Sequence, residues 1–477
     1  MLPSRRRAIY TTELSRVSAD YKSERFEMSK RNKSVRLKTC AASLAAAVAL
    51  AACLWAAGSA ASAQVASPSQ GATAAVNPRS ASVMAATAGV LKETGEIRGL
   101  EVLRTVKSGA QSRAEIERML VRNLDEQTTP EELRASELAL KKLGLVPANF
   151  EMRPFFIALL TEQVAGYYEP KTQEFYLADW IDLDGQQTVM AHELTHALQD
   201  QHFDLRRLEK WPKGDSDAEL AAHALVEGDA TLVMTFYVMR DLKRVAAMMK
   251  SVNAAGSSSE KIESAPRALR ESLLFPYKQG LDFASQVYKR GGWPLISAAY
   301  KSLPQSTEHI LHPEKYFANE APVKLNLPDF ADMLGKSWAR IDYDVNGEWS
   351  YFQILDEFLR AEKESQKAAA GWGGDRFALY ENRATREVLI AQLTAWDTER
   401  DAVEFFDAYV KRTERRYKGA VADTRASVPT ETRRVWRTMA GEGLVVMERQ
   451  GTRVAILEGV PEKADMNALL KKALATP

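Results

Sequence analysis

With 477 residues, 45% of them apolar and 27% charged, the chain is too long for one compact core and has the composition of a soluble globular protein of two or three packed units. Its 64 Lys and Arg offset 63 Asp and Glu, so there is no charge excess to attract a polyanion, and nucleic acid is not an expected partner.

One long apolar run, residues 41–57, is rich in Ala and follows Lys30, Arg31, Lys33, Arg36 and Lys38. A basic region, an apolar region and then the small-residue stretch Ala61-Ser62-Ala63 before Gln64 form the order of a secretory signal peptide. Residues 1–63 are therefore expected to be a leader and the mature chain to be exported, periplasmic or secreted. A single membrane anchor is the competing reading, but the run is short and weakly apolar for a span. Met28, followed at once by the basic region, is an alternative start. Cys40 and Cys53 both lie in the leader, so a cleaved chain has no disulfide and no cysteine metal ligand. Leu50-Ala51-Ala52-Cys53 also resembles a lipoprotein box, which leaves a lipid anchor at Cys53 as the alternative; Leu54 and Trp55 argue against it by extending the apolar run where a polar spacer is expected.

Residues 64–82 are small, polar and Pro/Gly-containing, the composition of a flexible linker. Ser112-Arg113-Ala114-Glu115 and Thr129-Pro130-Glu131-Glu132 are capping boxes that open amphipathic helices reaching about residue 145, with a further helical stretch over 155–162. Val164-Ala165-Gly166-Tyr167-Tyr168 and Glu174-Phe175-Tyr176-Leu177-Ala178 flank the turn-like Glu169-Pro170-Lys171-Thr172 and predict a β-hairpin. A helix over about 186–201 follows, and Ser216-Asp217-Ala218-Glu219, a third capping box, opens a long helix towards residue 244. Residues 253–259 predict a Gly/Ser loop, and helical segments then extend to about residue 300. From about residue 371 the character changes: strand-like runs at 376–380 and 388–395, a helix over 399–417, strand-like runs at 443–448 and 453–458 and a last helix predict a separate α+β lobe.

His192-Glu193-Leu194-Thr195-His196 matches H-E-x-x-H, whose chemistry follows from helix geometry. Residues at i and i+4 share a face, so two imidazoles can converge on one ion. Glu193 is turned by about a hundred degrees from the first histidine. It flanks the metal, where it can take a proton from an acidified water and pass it to a leaving amine. Met190, Leu194, Ala197 and Leu198 form an apolar stripe on the other side of the helix. All six histidines lie between residues 192 and 312, a clustering that suits a metal or acid-base site.

A hydrolytic zinc site needs a third protein ligand and keeps the fourth position for water. Glu227 in Leu225-Val226-Glu227-Gly228-Asp229-Ala230 is one candidate, with Gly228 allowing close approach of backbone or substrate. His202, at the spacing of H-E-x-x-H-x-x-G-x-x-H, is the other. Position 199 is Gln where that pattern has the turning Gly, so a continuing helix carries His202 past the ion, and Glu227 is the choice. Glu219, His223 and Glu227 are spaced by four and share a helical face, so His223 is a candidate to orient a ligand or stabilise the transition state, with Asp229 a weaker one. Residues 306–316 pack Glu308, His309, His312 and Tyr316 between Pro304 and Pro313; His312 is the candidate oxyanion donor of a segment expected to line the cleft opposite the metal helix.

Glu227 on a helix downstream of H-E-x-x-H resembles the gluzincin superfamily, the thermolysin-like metallopeptidases, and the stretches 192–205, 227–234 and 306–316 look like those of exported bacterial members. The resemblance implies an α+β fold: a mostly helical zincin-like domain over residues 83–369 with a small antiparallel sheet above the metal helix, then the lobe over 370–477. It implies one zinc per chain on His192, His196 and Glu227, and a strand at 174–177 as the cleft rim, where extended substrate adds as a further strand. The expected activity is hydrolysis of protein or peptide substrates with Glu193 as general base. The alternative is a non-catalytic zinc-containing binding or scaffolding protein of the envelope, against which Glu193 itself argues.

Overall fold

The computed structural model describes residues 78–180, 183–208, 211–254, 264–423, 432–439 and 442–475. The expected leader with its cysteines and most of the 64–82 segment lie outside them. Helix α1 (Pro78–Arg98) begins inside the stretch expected as linker, because Val83, Val90, Leu91 and Ile97 recur at helical spacing and are buried. Strand β1 (Lys107–Gln111) precedes α2 (Arg113–Gln127) and α3 (Pro130–Leu143), and both helices open on the expected capping boxes. The Glu132 carboxylate accepts the Thr129 N–H at 2.9 Å while Thr129 Oγ1 accepts the Glu132 N–H at 3.2 Å. After α4 (Met152–Gln163) comes the hairpin β2 (Gly166–Glu169) and β3 (Glu174–Ala178), with Tyr167 opposite Tyr176.

The sheet expected to be antiparallel is mixed. β1 pairs with β3 in parallel, giving the order β1-β3-β2. Lys107-Ser108-Gly109-Ala110-Gln111 has no apolar alternation, so nothing local predicts a strand there; pairing with β3 makes it one. β3 is therefore internal, and the rim expected at 174–177 has no free edge. Among the described residues the edge strands are β1 and β2.

Helix α5 (Leu183–Phe203) carries the H-E-x-x-H motif, and α6 (Ser216–Met239) packs against it. The cap of α6 is Asp215, whose Oδ1 accepts the Ala218 N–H at 3.3 Å; Ser216, the expected cap, is the first helical residue and gives its N–H to Asp344 at 2.9 Å. α6 stops at Met239 and α7 (Leu242–Ala254) follows, so residues 253 and 254 of the expected loop are helical, and 255–259 fall outside the described residues. α8 (Arg267–Ala299) comprises two helical pieces joined at Gly291 and Gly292, and Gly292, at φ 65° and ψ −162°, adopts a conformation closed to residues with a Cβ. Short helices α9 (Thr307–Leu311), α10 (Pro313–Ala318) and α11 (Ala331–Leu334) follow. Ile97, Phe175, Leu177, Leu194, Leu198 and Val233 form one core around α1, the small sheet, α5 and α6.

The rest of the chain forms β4 (Trp338–Asp344), α12 (Gly347–Leu359), α13 (Glu362–Ala369), β5 (Trp372–Asn382), β6 (Val388–Trp396), α14 (Glu399–Arg416), β7 (Val421–Ala422), β8 (Arg433–Arg437), β9 (Leu444–Gln450), β10 (Arg453–Val460) and α15 (Met466–Leu474). Trp338, Tyr380, Leu393, Val446, Leu457 and Leu470 form a second core between the strands and α15. The seven strands form one antiparallel sheet in the order β4-β5-β6-β10-β9-β8-β7. It starts at Trp338, so the boundary expected at 370 falls inside this part. The lobe is also not separate, since all described residues belong to one compact unit. On α3, Arg134 makes a bidentate pair with Glu381 of β5 at 2.9 and 2.6 Å. At the other end of α3, Arg412 donates to the Leu143 carbonyl at 2.6 Å and to Glu458 Oε1 at 2.8 Å. A cation on the last carbonyls of a helix complements both their unmet acceptors and the helix dipole. Arg412 and Glu458 have no exposed side-chain surface, and removing one partner of such a pair costs about 3–5 kcal/mol. The fold is thus α+β, with the N-terminal helices stitched to the C-terminal sheet. Among the described residues no helix is long and apolar enough to cross a membrane.

Candidate metal centre

Met190, Leu194, Ala197 and Leu198 pack α5 into the first core, and Ala191, Thr195 and Gln199 are buried too, so this helix is enclosed on nearly every side. On its remaining face the i, i+4 histidines converge. His192 Nε2 and His196 Nε2 are 3.1 Å apart, and Glu227 Oε2, reaching across from α6, is 3.1 Å from the first and 3.5 Å from the second. A tetrahedral ion bound at about 2.0–2.1 Å holds its ligand atoms about 3.3 Å from one another. The three atoms match one face of that tetrahedron, and two imidazoles with one carboxylate are a donor set suited to zinc. His202 is not part of it, because α5 runs straight through position 199 and His202 Nε2 lies 2.8 Å from the Glu101 carbonyl.

Glu193 stands beside this triangle, its Oε2 accepting the Tyr168 N–H from the free edge of β2 at 3.0 Å. Burial pushes its carboxyl above the ordinary range, against the pull of His192 and His196. A base whose affinity for a proton is raised in this way is better placed to take and return one near neutral pH. For His196, burial works to lower the pKa, yet the Glu227 carboxylate overcomes it and lifts the imidazole to about 9. Burial would raise Glu227, yet the imidazoles hold it well below its ordinary value. The cluster is therefore a mutually neutralising group in which a dication can replace the proton.

Helices α6 and α8 cross backbone to backbone here. A Cβ on Gly228 would lie 2.1 Å from the Gly280 carbonyl oxygen, and one on Gly280 would lie 2.2 Å from that of Ala224. The close approach foreseen at Gly228 is thus to the backbone of α8, and it brings Tyr277, one turn before Gly280, against the cluster. The Tyr277 ring centroid is 6.1 Å from that of His192. The charge of Glu227, then burial, then Glu193 keep its hydroxyl well above the ordinary phenol range. It stays protonated and able to donate. A cavity of about 320 Å³ opens from this point, with Glu227, Tyr277 and His223 on its wall.

Below the cluster lies a buried polar network. Gln199 Oε1 is 2.8 Å from His196 Nδ1, and Gln199 Nε2 donates to the Val226 carbonyl at 3.1 Å and to Asp229 Oδ2 at 3.0 Å. Tyr300 donates to the same Asp229 oxygen at 2.9 Å, and Arg98 of α1 to Asp229 Oδ1 at 2.7 Å. The amide oxygen requires a proton on Nδ1, which leaves Nε2 of His196 free to ligate. Asp229 thus acts two residues removed, through Gln199. His192 Nδ1 is buried with no hydrogen-bond partner.

The other expected residues are not gathered here. His223 is exposed and reaches the site only as part of the cavity wall. His312 Nε2 is 2.9 Å from the buried Glu348 of α12. Its segment docks on the far end of α6: Thr307 gives its N–H and hydroxyl to Asp217 at 3.0 and 2.6 Å, ten residues and about 15 Å of helix from Glu227. No residue of 306–316 lines the cavity, so the cleft position expected for His312 is replaced by a clasp between α6 and α12. His309 is engaged by the Gln305 N–H at 3.2 Å and the Glu320 carbonyl at 2.6 Å. Glu308, Glu320 and Asp397 form a second acidic group, but the Lys315 ammonium already sits among them at 2.6, 2.9 and 2.5 Å. Tyr277, Gln199 and Tyr168 escaped sequence reading. Gln199 had a signal, being three residues after His196 on one helix; Tyr277 and Tyr168 had none, since only helix crossing and strand pairing bring them in.

Residues 335–470 match the model of a domain of unknown function (DUF8575), a span that covers the seven-stranded sheet and none of the cluster residues. No curated protein and no solved structure matches the chain.

Proposed function

We propose that the protein is an exported zinc-dependent peptidase with a gluzincin-like centre. The observation that carries this reading is the set of three ligand atoms from His192, His196 and Glu227, spaced as a tetrahedral ion requires, with Glu193 beside them. When bound, zinc supplies acidified water and polarisation of the substrate carbonyl. Glu193 takes the proton of the attacking water and delivers it to the leaving amine. Tyr277 keeps its proton and donates a hydrogen bond to the oxyanion as charge develops, the role expected at first for His312. The free edge of β2 takes extended substrate beside Glu193, because β2 is paired on one side only. A site that held zinc for structure alone would have no use for an acid-base carboxylate or for a cavity opening at its third ligand. Secretion rests on the order of basic, apolar and small residues at 30–63.

The deciding experiment is cleavage of a blocked peptide library by the mature protein, with elemental analysis alongside. About one zinc per chain and cleavage abolished by chelator and restored by zinc are expected. A protein without metal, and without metal-restored cleavage, overturns the proposal.

A further inference from the structure

Tyr168 is tied to α5 at two points. Its main-chain N–H donates to Glu193 Oε2 at 3.0 Å, and its hydroxyl donates to Asp200 Oδ2 at 2.9 Å. Glu193 and Asp200 are about two turns, or roughly 10 Å, apart on that helix. Asp200 is itself buried and fixed, because Arg104 Nη2 donates to it at 2.8 Å and the Leu205 N–H at 3.2 Å. The phenol thus holds the backbone of β2 in place whatever its N–H is bonded to. That N–H belongs to the side of β2 turned away from β3, where alternate residues of an edge strand leave their donors without a strand partner. A strand added at this edge must present a carbonyl to it, and one proton serves one acceptor at full strength. Substrate and Glu193 therefore compete for the same donor.

We propose that Tyr168 is a positioning residue: its N–H holds Glu193 in the resting protein and passes to a main-chain carbonyl of an extended substrate, so that seating the strand frees Glu193 for water. The proposal rests on the peptidase reading and on strand addition at β2, and adds to them how the site responds to its substrate. A carboxylate is a stronger acceptor than a carbonyl, so the exchange weakens binding. The loss is recovered in the reaction, because a carboxylate relieved of its donor is a better acceptor for the proton of the attacking water. A peptide too short to reach Tyr168 leaves Glu193 engaged and is cut slowly.

The test uses the zinc-loaded mature protein and the blocked peptide that it cuts fastest. In the first arm each main-chain carbonyl of the peptide other than the scissile one is replaced in turn by a methylene. For one of them kcat should fall about 10- to 100-fold while KM changes less than about threefold, since the bond removed is one whose gain was offset by releasing Glu193. The second arm avoids turnover: the same peptide, its scissile amide replaced by an (E)-alkene that offers Glu193 no polar atom, is titrated calorimetrically into parent and Glu193→Ala protein. Without its competitor the strand should bind Glu193→Ala about 10-fold more tightly, and the alkene peptide that also lacks the identified carbonyl should show no such difference. A series in which no carbonyl lowers kcat, or an alkene peptide that binds Glu193→Ala no better than the parent, overturns the exchange while the peptidase reading stands. A protein that takes up no zinc and cuts no peptide overturns both.

Discussion

Replacing Gln199 by Leu tests whether the buried network below the cluster sets the metal affinity. Gln199 has no exposed surface and makes three contacts, with His196 Nδ1, the Val226 carbonyl and Asp229 Oδ2. Leucine fills much of the space and makes none of them. His196 Nδ1–H is then buried without an acceptor, at a cost of about 1–3 kcal/mol. Asp229 loses one neutral donor, worth about 1 kcal/mol, but keeps Arg98 and Tyr300. The Val226 carbonyl lies within α6, so the helix bond limits its loss. The apolar replacement recovers part of this, and the metal-free protein should lose about 1–3 kcal/mol of stability in urea unfolding. The freed imidazole can also turn or change tautomer, so zinc affinity, measured by competition with a chromophoric chelator, should fall about 10- to 100-fold. Gln199→Glu should do no better, because it sets a second carboxylate against Asp229. Zinc affinity within a factor of two of the parent in Gln199→Leu would refute the argument that this amide orients His196.

Glu193→Gln should keep its zinc by elemental analysis and lose turnover by several orders of magnitude, because the ligands survive and the base does not. Glu227→Ala should weaken zinc binding well over tenfold, whereas His202→Ala, which removes only a contact to the Glu101 carbonyl, should leave occupancy nearly unchanged. Gly228→Ala must push α8 from α6, since its Cβ would meet the Gly280 oxygen at 2.1 Å; thermal unfolding should show a loss of about 1–3 kcal/mol or more, with Tyr277 displaced and turnover reduced. Burial would raise Glu458, but Arg412 and Arg416 outweigh it and hold the carboxyl at about 2, against 4.5 ordinarily. Its stabilisation, about 3 kcal/mol, is therefore present above pH 4.5 and lost as pH falls towards 2. Urea midpoints measured from pH 6 down to 3 should fall less steeply in Glu458→Gln than in the parent.

Where a signal is local, it was legible in the chain. Ser112 with Glu115 and Thr129 with Glu132 announced two helix starts, the aromatic runs around Pro170 announced the hairpin, and four of the seven strands of the large sheet came from apolar runs. At the cluster, i and i+4 spacing on a helix already implies that His192 and His196 point at one place. The absence of Gly at 199 implied that His202 would pass by, since a helix with no reason to turn goes on.

What no local pattern carries is which side chain arrives from elsewhere. Gly109 sits in a strand because β3 lies beside it, Tyr277 reaches His192 because Gly228 and Gly280 let two helices touch, and His312 turns to Glu348 because Thr307 anchors its segment on Asp217. The lobe expected to stand alone is held to α3 by Arg412 and Glu381, contacts that span more than two hundred residues of chain. By itself the sequence determined the two histidines, the carboxylate between them and the helix that carries all three, because their geometry is set by hydrogen bonds within a few residues. Glu227 was already the third ligand chosen from the sequence; only the tertiary structure decided how it meets both histidines, that Tyr277 faces the cluster and that a leucine-lined cavity opens there, because each depends on how closely separate helices can pack.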